Sequence, residues 1–250
     1  MTIYGAIPRG AYKQQPKLMP RSLGFERYAL GFNGLDNSIE VPDSASIRNL
    51  YRSPFTIEVF AKKTVLLPGG ETLVGWGWGV RINLDGALFQ WRGLLAGVWT
   101  TFASITGGWI QDLGQHHWVL KWDGLAYTFC RDGNALPTTS IGNVSDASVA
   151  SLLIGAFTVP GTQVFNGLIS LVRIYKDYAL SLEEVRWNRL NYHNPVRPDK
   201  LALWLPMEEG SGLVAADHSG LGNNGALLPA LTPPTWEQVR QYELRAETEQ

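Results

Sequence analysis

The sequence predicts an all-β protein, a sandwich of two antiparallel sheets with one short helix and extended ends. Three observations carry this prediction. Apolar and polar residues alternate with a period of two through many short runs, which places the apolar set of each run on one face of a strand. Asp-Gly pairs punctuate those runs, and two of them, Asp123-Gly124 and Asp132-Gly133, stand nine residues apart around an alternating segment. The 250 residues include 27 glycines and 14 prolines, with 45% apolar but only 17% charged content, as many short strands joined by turns require. A chain of this length can bury one full core.

Taken in order, residues 1–24 carry Arg9, Lys13, Lys17 and Arg21, three prolines and no acidic residue, which reads as an extended basic arm. A single sandwich domain spans 25–236. It opens with the strand-like YALGFNG from Tyr28, a turn through Asp36 and Asn37, and SIEV. In FTIEVFAKK, Phe55, Ile57, Val59 and Ala61 share one face. LVGWGWGVRINLDGALFQW follows, with Trp76 and Trp78 on one face, glycines 75, 77 and 79 on the other, and an Asp85-Gly86 turn. Residues 95–110 hold one or two more strands around Val98, Thr100 and Phe102.

The surest element is the meander from Gln115 to Gly133. Trp118, Leu120 and Trp122 lie on one face of its first strand, so Trp118 and Leu120 are expected to be buried together. The tight turn at Asp123-Gly124 calls for two positive φ angles, after which Leu125, Tyr127 and Phe129 share a face of the return strand. SLLIGAF and VFNGLISLVRIY read as two further strands. SLEEVRWNRLNYH is a helix: Ser181 and Glu184 form a capping box, Leu182, Val185 and Leu190 can face the sheet, and Asn194-Pro195 ends it. Residues 201–236 return to strand and turn signals and supply a closing strand. Thr235 with Gln238 suggests a short helix at the end, running into a charged tail over 237–250.

Three blocks resemble the concanavalin A-like lectin/glucanase superfamily, in its laminin-G-like jelly-roll branch. They are ALGFNGLDNSIEVPDSASI, HHWVLKWDGLAYTFCRDG, and LLIGAF with VFNGLISLVRIYKDYALSLEEV. The resemblance implies a jelly roll of two face-to-face sheets, one concave, with rim loops able to bind glycan or calcium. It also makes the order of segments look permuted. LALWLPMEEGSGLVAADHSGLGNNGALL resembles a segment that this group places before the first block, so here it closes either its own sandwich or that of a neighbouring copy. The group's frequent Asp-Asp in the first turn is Asp36-Asn37 here, and its usual acidic pair after the FxG-Ile step is Ser170-Leu171. Asp36 and Asn37 remain the candidate calcium site, with few carboxylates for a cation that prefers several oxygens.

Catalytic patterns are missing from the sequence. The E-x-D-x-E run of the superfamily's glucanases, which would set three carboxylates on one strand face, does not occur; Glu58 has Thr56 and Phe60 two positions away. The adjacent His116 and His117 match a histidine pair in the resembling motif and read as structural. The one cysteine, Cys130, reads as a packed thiol. The net charge of −1 offers no footprint for nucleic acid, and no apolar run is long enough for a membrane-spanning helix.

Ten tryptophans remain, and sugar-binding proteins stack pyranose faces on exposed rings. Trp76, Trp78, Trp99 and Trp109 are the candidate ligand-binding residues, with Trp91 in the same region; core packing claims most aromatic residues in a sandwich. The expected function is a non-enzymatic lectin-like recognition or structural module. The N-terminus has no apolar leader, which points to a viral or phage particle protein, in a capsid decoration or a tail, and otherwise to the cytoplasm. Its expected partners are copies of itself or other particle proteins, reached through the terminal arms, and cell-surface glycan. The alternatives are a secreted-type carbohydrate-processing enzyme and an intracellular interaction domain.

Overall fold

A computed structural model describes residues 26–65, 70–76, 80–85, 88–95, 98–107, 112–142, 150–159, 162–229 and 231–240. The basic arm and the last ten residues lie outside them. Strands are numbered in chain order. One sheet runs β10 (Asn134–Ala135), β9 (Tyr127–Arg131), β8 (Gln115–Trp122), β3 (Phe55–Lys63), β13 (Asn166–Lys176), β1 (Glu26–Asn33), β17 (Thr235–Arg240), and β14 (Leu201–Leu205) also pairs with β13. The other runs β11 (Thr139–Ser140), β7 (Val98–Thr106), β6 (Leu88–Leu95), β5 (Val80–Asp85), β4 (Glu71–Trp76), β12 (Leu152–Ile154), β2 (Ser38–Val41), β16 (Gly225–Leu228), β15 (Val214–Ala215). Every pairing between these strands is antiparallel, so the predicted two-sheet jelly-roll sandwich is the observed fold.

Alternation explains the core between the sheets. Phe55, Ile57 and Val59 of β3 and Trp118, Leu120 and Trp122 of β8 meet Ile82, Phe89, Trp91 and Ile154 from the facing sheet. Trp118 and Leu120 are buried together, as their spacing requires. The opposite face of β8 is buried too. Helix α1 (Leu182–Leu190) lies over it, and Val119, Cys130, Tyr175, Leu180, Val185 and Leu201 form a second apolar cluster. The capping box is present: the Glu184 N–H donates to Ser181 Oγ at 3.2 Å, and the Ser181 N–H donates to Glu184 Oε2 at 2.9 Å. Among the described residues no helix is long and apolar enough to cross a membrane.

The structure departs from the sequence reading in four places. At the first Asp-Gly turn only Gly124 has positive φ, 102°. Asp123 instead caps a four-residue loop, its Oδ1 accepting from the Leu125 and Ala126 N–H groups at 2.8 and 2.9 Å, and Leu125 is therefore 91% exposed. The second turn does have both positive angles, at Asp132 and Gly133. On α1, Leu190 is exposed and Asn188 is buried in its place. Residues 235–240 form a strand rather than a helix, because β1 offers an open edge that their backbone completes from Glu26↔Arg240 to Gly31↔Thr235. Residues 237–240 thus belong to the sheet and not to the tail.

The C-terminal segment pairs within its own chain. β14 lies against β13, and β16 against β2. The polar turn between β15 and β16 is fastened by Asn223, whose Nδ2 donates to Ala202 O and Ser46 Oγ at 2.8 Å each.

Candidate functional site

The turn after β1 is a built structure. Asn33 Oδ1 accepts from the Leu35 N–H at 2.9 Å and the Asp36 N–H at 3.2 Å, and Asn33 Nδ2 donates to Asp36 Oδ1 at 2.7 Å. The Asn33 N–H in turn donates to Asn37 Oδ1 at 3.1 Å. Such side-chain-to-backbone bonding is what Asn and Asp do in tight turns. Gly34 adopts φ +73°, and a Cβ there would come within 2.7 Å of Asn166 Nδ2. Asn37 is buried, and its amide donates to Thr232 O at 2.6 Å, which ties the turn to the segment entering β17.

Between these two segments runs an open groove lined by Asn33, Asn37, Gly212, Thr232, Trp236 and Glu237, among others. Trp236 is half-buried against the core, with its indole N–H donated to Gly212 O at 3.0 Å. Glu237 is exposed. A Cβ on Gly31 would overlap the Glu237 carboxylate, so the glycine leaves the space in which that carboxylate lies; the Thr235 hydroxyl faces it at 3.4 Å. Trp236 and Glu237 are consecutive on β17, so the ring turns to the core side with Leu30 while the carboxylate turns to the outer side over Gly31 with the Thr235 hydroxyl; the groove runs along the sheet edge between these two faces.

The sequence-derived candidates fall in different places. Trp76 is 4% exposed and packs edge-on to Trp91 at 6.4 Å, so it belongs to the core and presents no ring to a ligand; Trp91 is buried as well. The alternation that gives Trp76 its strand also sends it inward with Val74. Trp99 is half-buried, and its ring meets Phe157 edge-on at 5.6 Å. Further along β6, opposite Ser104 and Thr101, Gln90 Oε1 and Arg92 Nε are buried without a hydrogen-bond partner. Trp78 and Trp109 lie outside the described residues. Asp36 and Asn37 do stand at a rim, but both Asn37 amide atoms are engaged in holding the turn. Asp36 Oδ2 faces only the Thr232 hydroxyl, at 3.5 Å. Among the described residues no three of His, Cys, Asp and Glu converge as a cation site needs.

Sequence reading missed Trp236 because Thr235 and Gln238 mimic a capping box. The usable signal was Pro233-Pro234 followed by the strand formers Thr235, Trp236 and Val239.

The adjacent pair, His116 and His117, is structural. His116 Nδ1 lies 2.8 Å from Asp132 Oδ2, and His117 stacks on Phe60 with Nε2 3.3 Å from Glu58 Oε1. Glu58 is fully buried and also meets Arg173 Nη1 at 3.5 Å and Asn188 Nδ2 at 3.0 Å. That carboxylate anchors α1 to the sheet and is closed to a substrate.

The architecture and rim define a class, the lectin-like β-sandwiches. The chain belongs to the concanavalin A-like lectin/glucanases superfamily, whose laminin-G-type profile matches residues 33–186. Among solved structures, a candidate carbohydrate-binding protein from Bacteroides ovatus ATCC 8483 is similar with TM-score 0.61 and 19% identity, over 80% of this chain and 58% of that one. This chain therefore spans little more than half of that protein. Domain 4 of AbnA, an extracellular GH43 arabinanase from Geobacillus stearothermophilus solved with arabinotriose, matches with TM-score 0.47 and 21% identity over 63% of this chain and 74% of that one. The binding domain of Paraclostridial Mosquitocidal Protein 1 matches with TM-score 0.47 and 20% identity over 63% and 41%. At these identities the likeness is one of fold. No curated protein sequence matches the chain.

Proposed function

We propose that the chain is a non-enzymatic carbohydrate-binding module that holds a glycan in the rim groove. The observation that carries this reading is one open groove along the β1–β17 edge, lined on its core side by the half-buried Trp236 and on its outer side by Glu237, with Asn33 and Thr232 along it. A ring face complements the C–H-rich face of one pyranose, while the amide, hydroxyl and carboxylate groups around the sheet edge fix hydroxyls of the adjoining sugar residue. Among the described lining residues Glu237 is the one carboxylate, whereas glycosidic hydrolysis uses a pair. The superfamily membership and the likeness to the candidate carbohydrate-binding protein of Bacteroides ovatus point the same way.

The test is a glycan array followed by calorimetry on the bound glycan. Trp236→Ala should weaken binding at least about fivefold, in line with one stacked ring contributing roughly 1 to 3 kcal/mol. Because Trp236 also packs on the core, Glu237→Gln serves as a second variant, and a melting curve accompanies both. Full binding by both folded variants would remove the groove from consideration.

A second reading places the ligand at Trp99, favoured by its half-buried ring on β7 against Phe157. Trp99→Ala separates the two. We retain calcium as a proposal at Asp36 alone: a melting temperature raised by millimolar calcium in wild type but not in Asp36→Ala would establish it.

The setting in a viral or phage particle is a further proposal that rests on residues 1–24, and nothing in the family or the structural neighbours points to it. Deleting the arm and comparing assembly by light scattering tests it. A folded protein that still assembles would refute an assembly role.

A further inference from the structure

We propose that the rim groove selects uncharged saccharides and rejects those bearing carboxylate or sulfate. This deepens the reading of the groove as a glycan site and rests on it. The groove has a single charged side chain among its described lining residues, the carboxylate of Glu237. That group is placed rather than free: it lies in the space left by the missing side chain of Gly31, with the Thr235 hydroxyl 3.4 Å from Oε1. A second carboxylate, that of Asp36, sits across Thr232, whose hydroxyl is 3.5 Å from Asp36 Oδ2. The described lining residues include no lysine, arginine or histidine to balance them.

A carboxylate with open lone pairs accepts hydroxyl hydrogens from a neutral sugar. A uronate, sialate or sulfate in the same position would bring like charge within about 5 Å, in surroundings where that repulsion lowers affinity about fourfold to tenfold or more. Asn33 and Asn37 reinforce the preference. Asn33 Nδ2 gives one of its two hydrogens to Asp36 and Asn37 Nδ2 one to Thr232 O, so each amide keeps at most one neutral N–H and neither supplies a positive charge to offset the carboxylates.

The experiment uses the full chain on an array holding neutral, uronate-containing, sialylated and sulfated oligosaccharides, at 20 mM and 0.5 M NaCl. The strongest neutral ligand is then compared in solution with its C6-oxidised form. Wild type should bind neutral glycans and prefer the neutral partner of the matched pair by about fourfold or more at low salt, a ratio that shrinks at high salt. Glu237→Gln should bring that ratio toward one, whatever it does to absolute affinity. Equal or tighter binding of the anionic partner by wild type, with Trp236→Ala still abolishing it, would overturn the inference and leave the groove as the site. A neutral preference unchanged in Glu237→Gln would overturn the role of that residue. Failure of every glycan to bind, or binding untouched by Trp236→Ala, would overturn the groove reading and this inference with it.

Discussion

Cys130 shows how far a single residue can be read. Its sequence context suggested a packed thiol, and the side chain is fully buried on the helix-covered face of β9, beside Val119 of β8. Burial pushes the thiol up from its ordinary 9.0 to about 11. Two outcomes follow from that environment. A thiol reagent at pH 8 should leave Cys130 unlabelled until denaturant is added. The unfolded chain loses this proton first as pH rises, so the contribution to stability is full below about pH 9 and is lost between about 9 and 11, roughly 2 to 3 kcal/mol in all. Urea unfolding of wild type and Cys130→Ala across that range checks it: the wild-type curve should fall more steeply, and parallel curves would contradict the assigned cause. On the same face Asn188 is buried, while Leu190, which the sequence set toward the sheet, is exposed. An asparagine counts as outward-facing until its partners are known, and here they are the buried Glu58 carboxylate and the Tyr175 hydroxyl at 2.8 Å.

For elements, local pattern was a good guide where one element carries its own instruction. The capping box of α1 and the alternation of β3 and β8 needed no tertiary knowledge, since both follow from backbone geometry. Trp118→Ala should lower stability by about 3 to 5 kcal/mol, because the ring is buried between the sheets against Phe89 at 4.8 Å between centroids. Chemical denaturation measures it, and a midpoint equal to wild type would contradict the core placement. Pattern failed where a neighbour decides. Residues 235–240 satisfy a helix start and a strand about equally well, and the free edge of β1 settles the matter by taking up their backbone hydrogen bonds.

For the whole molecule, the decisive feature is that residues 201–240 complete both sheets. Leu203, Leu205, Met207 and Leu227 enter the common core, while β14, β16 and β17 cover β13, β2 and β1. Truncation after Pro195 should therefore yield insoluble protein, since it exposes apolar core and unpaired strand edges together. Removal of residues 241–250 should leave solubility and melting temperature unchanged. Soluble, cooperatively unfolding protein from the shorter chain would show that the sandwich closes without its C-terminal segment.

The residues by themselves determined the class of fold, most strands, the helix start and the burial of Trp118 and Leu120, because each depends on periodicity or on groups a few positions apart. Tertiary structure alone decided which tryptophans are core and which face a groove. Parity along a strand separates two faces without saying which is covered, and so Trp76 went inward while Trp236 came to the rim. The groove itself was beyond the reach of any local pattern. It exists because Asn37 and Thr232, 195 residues apart, are joined by one hydrogen bond, and chain closure over that distance is a property of the completed sandwich.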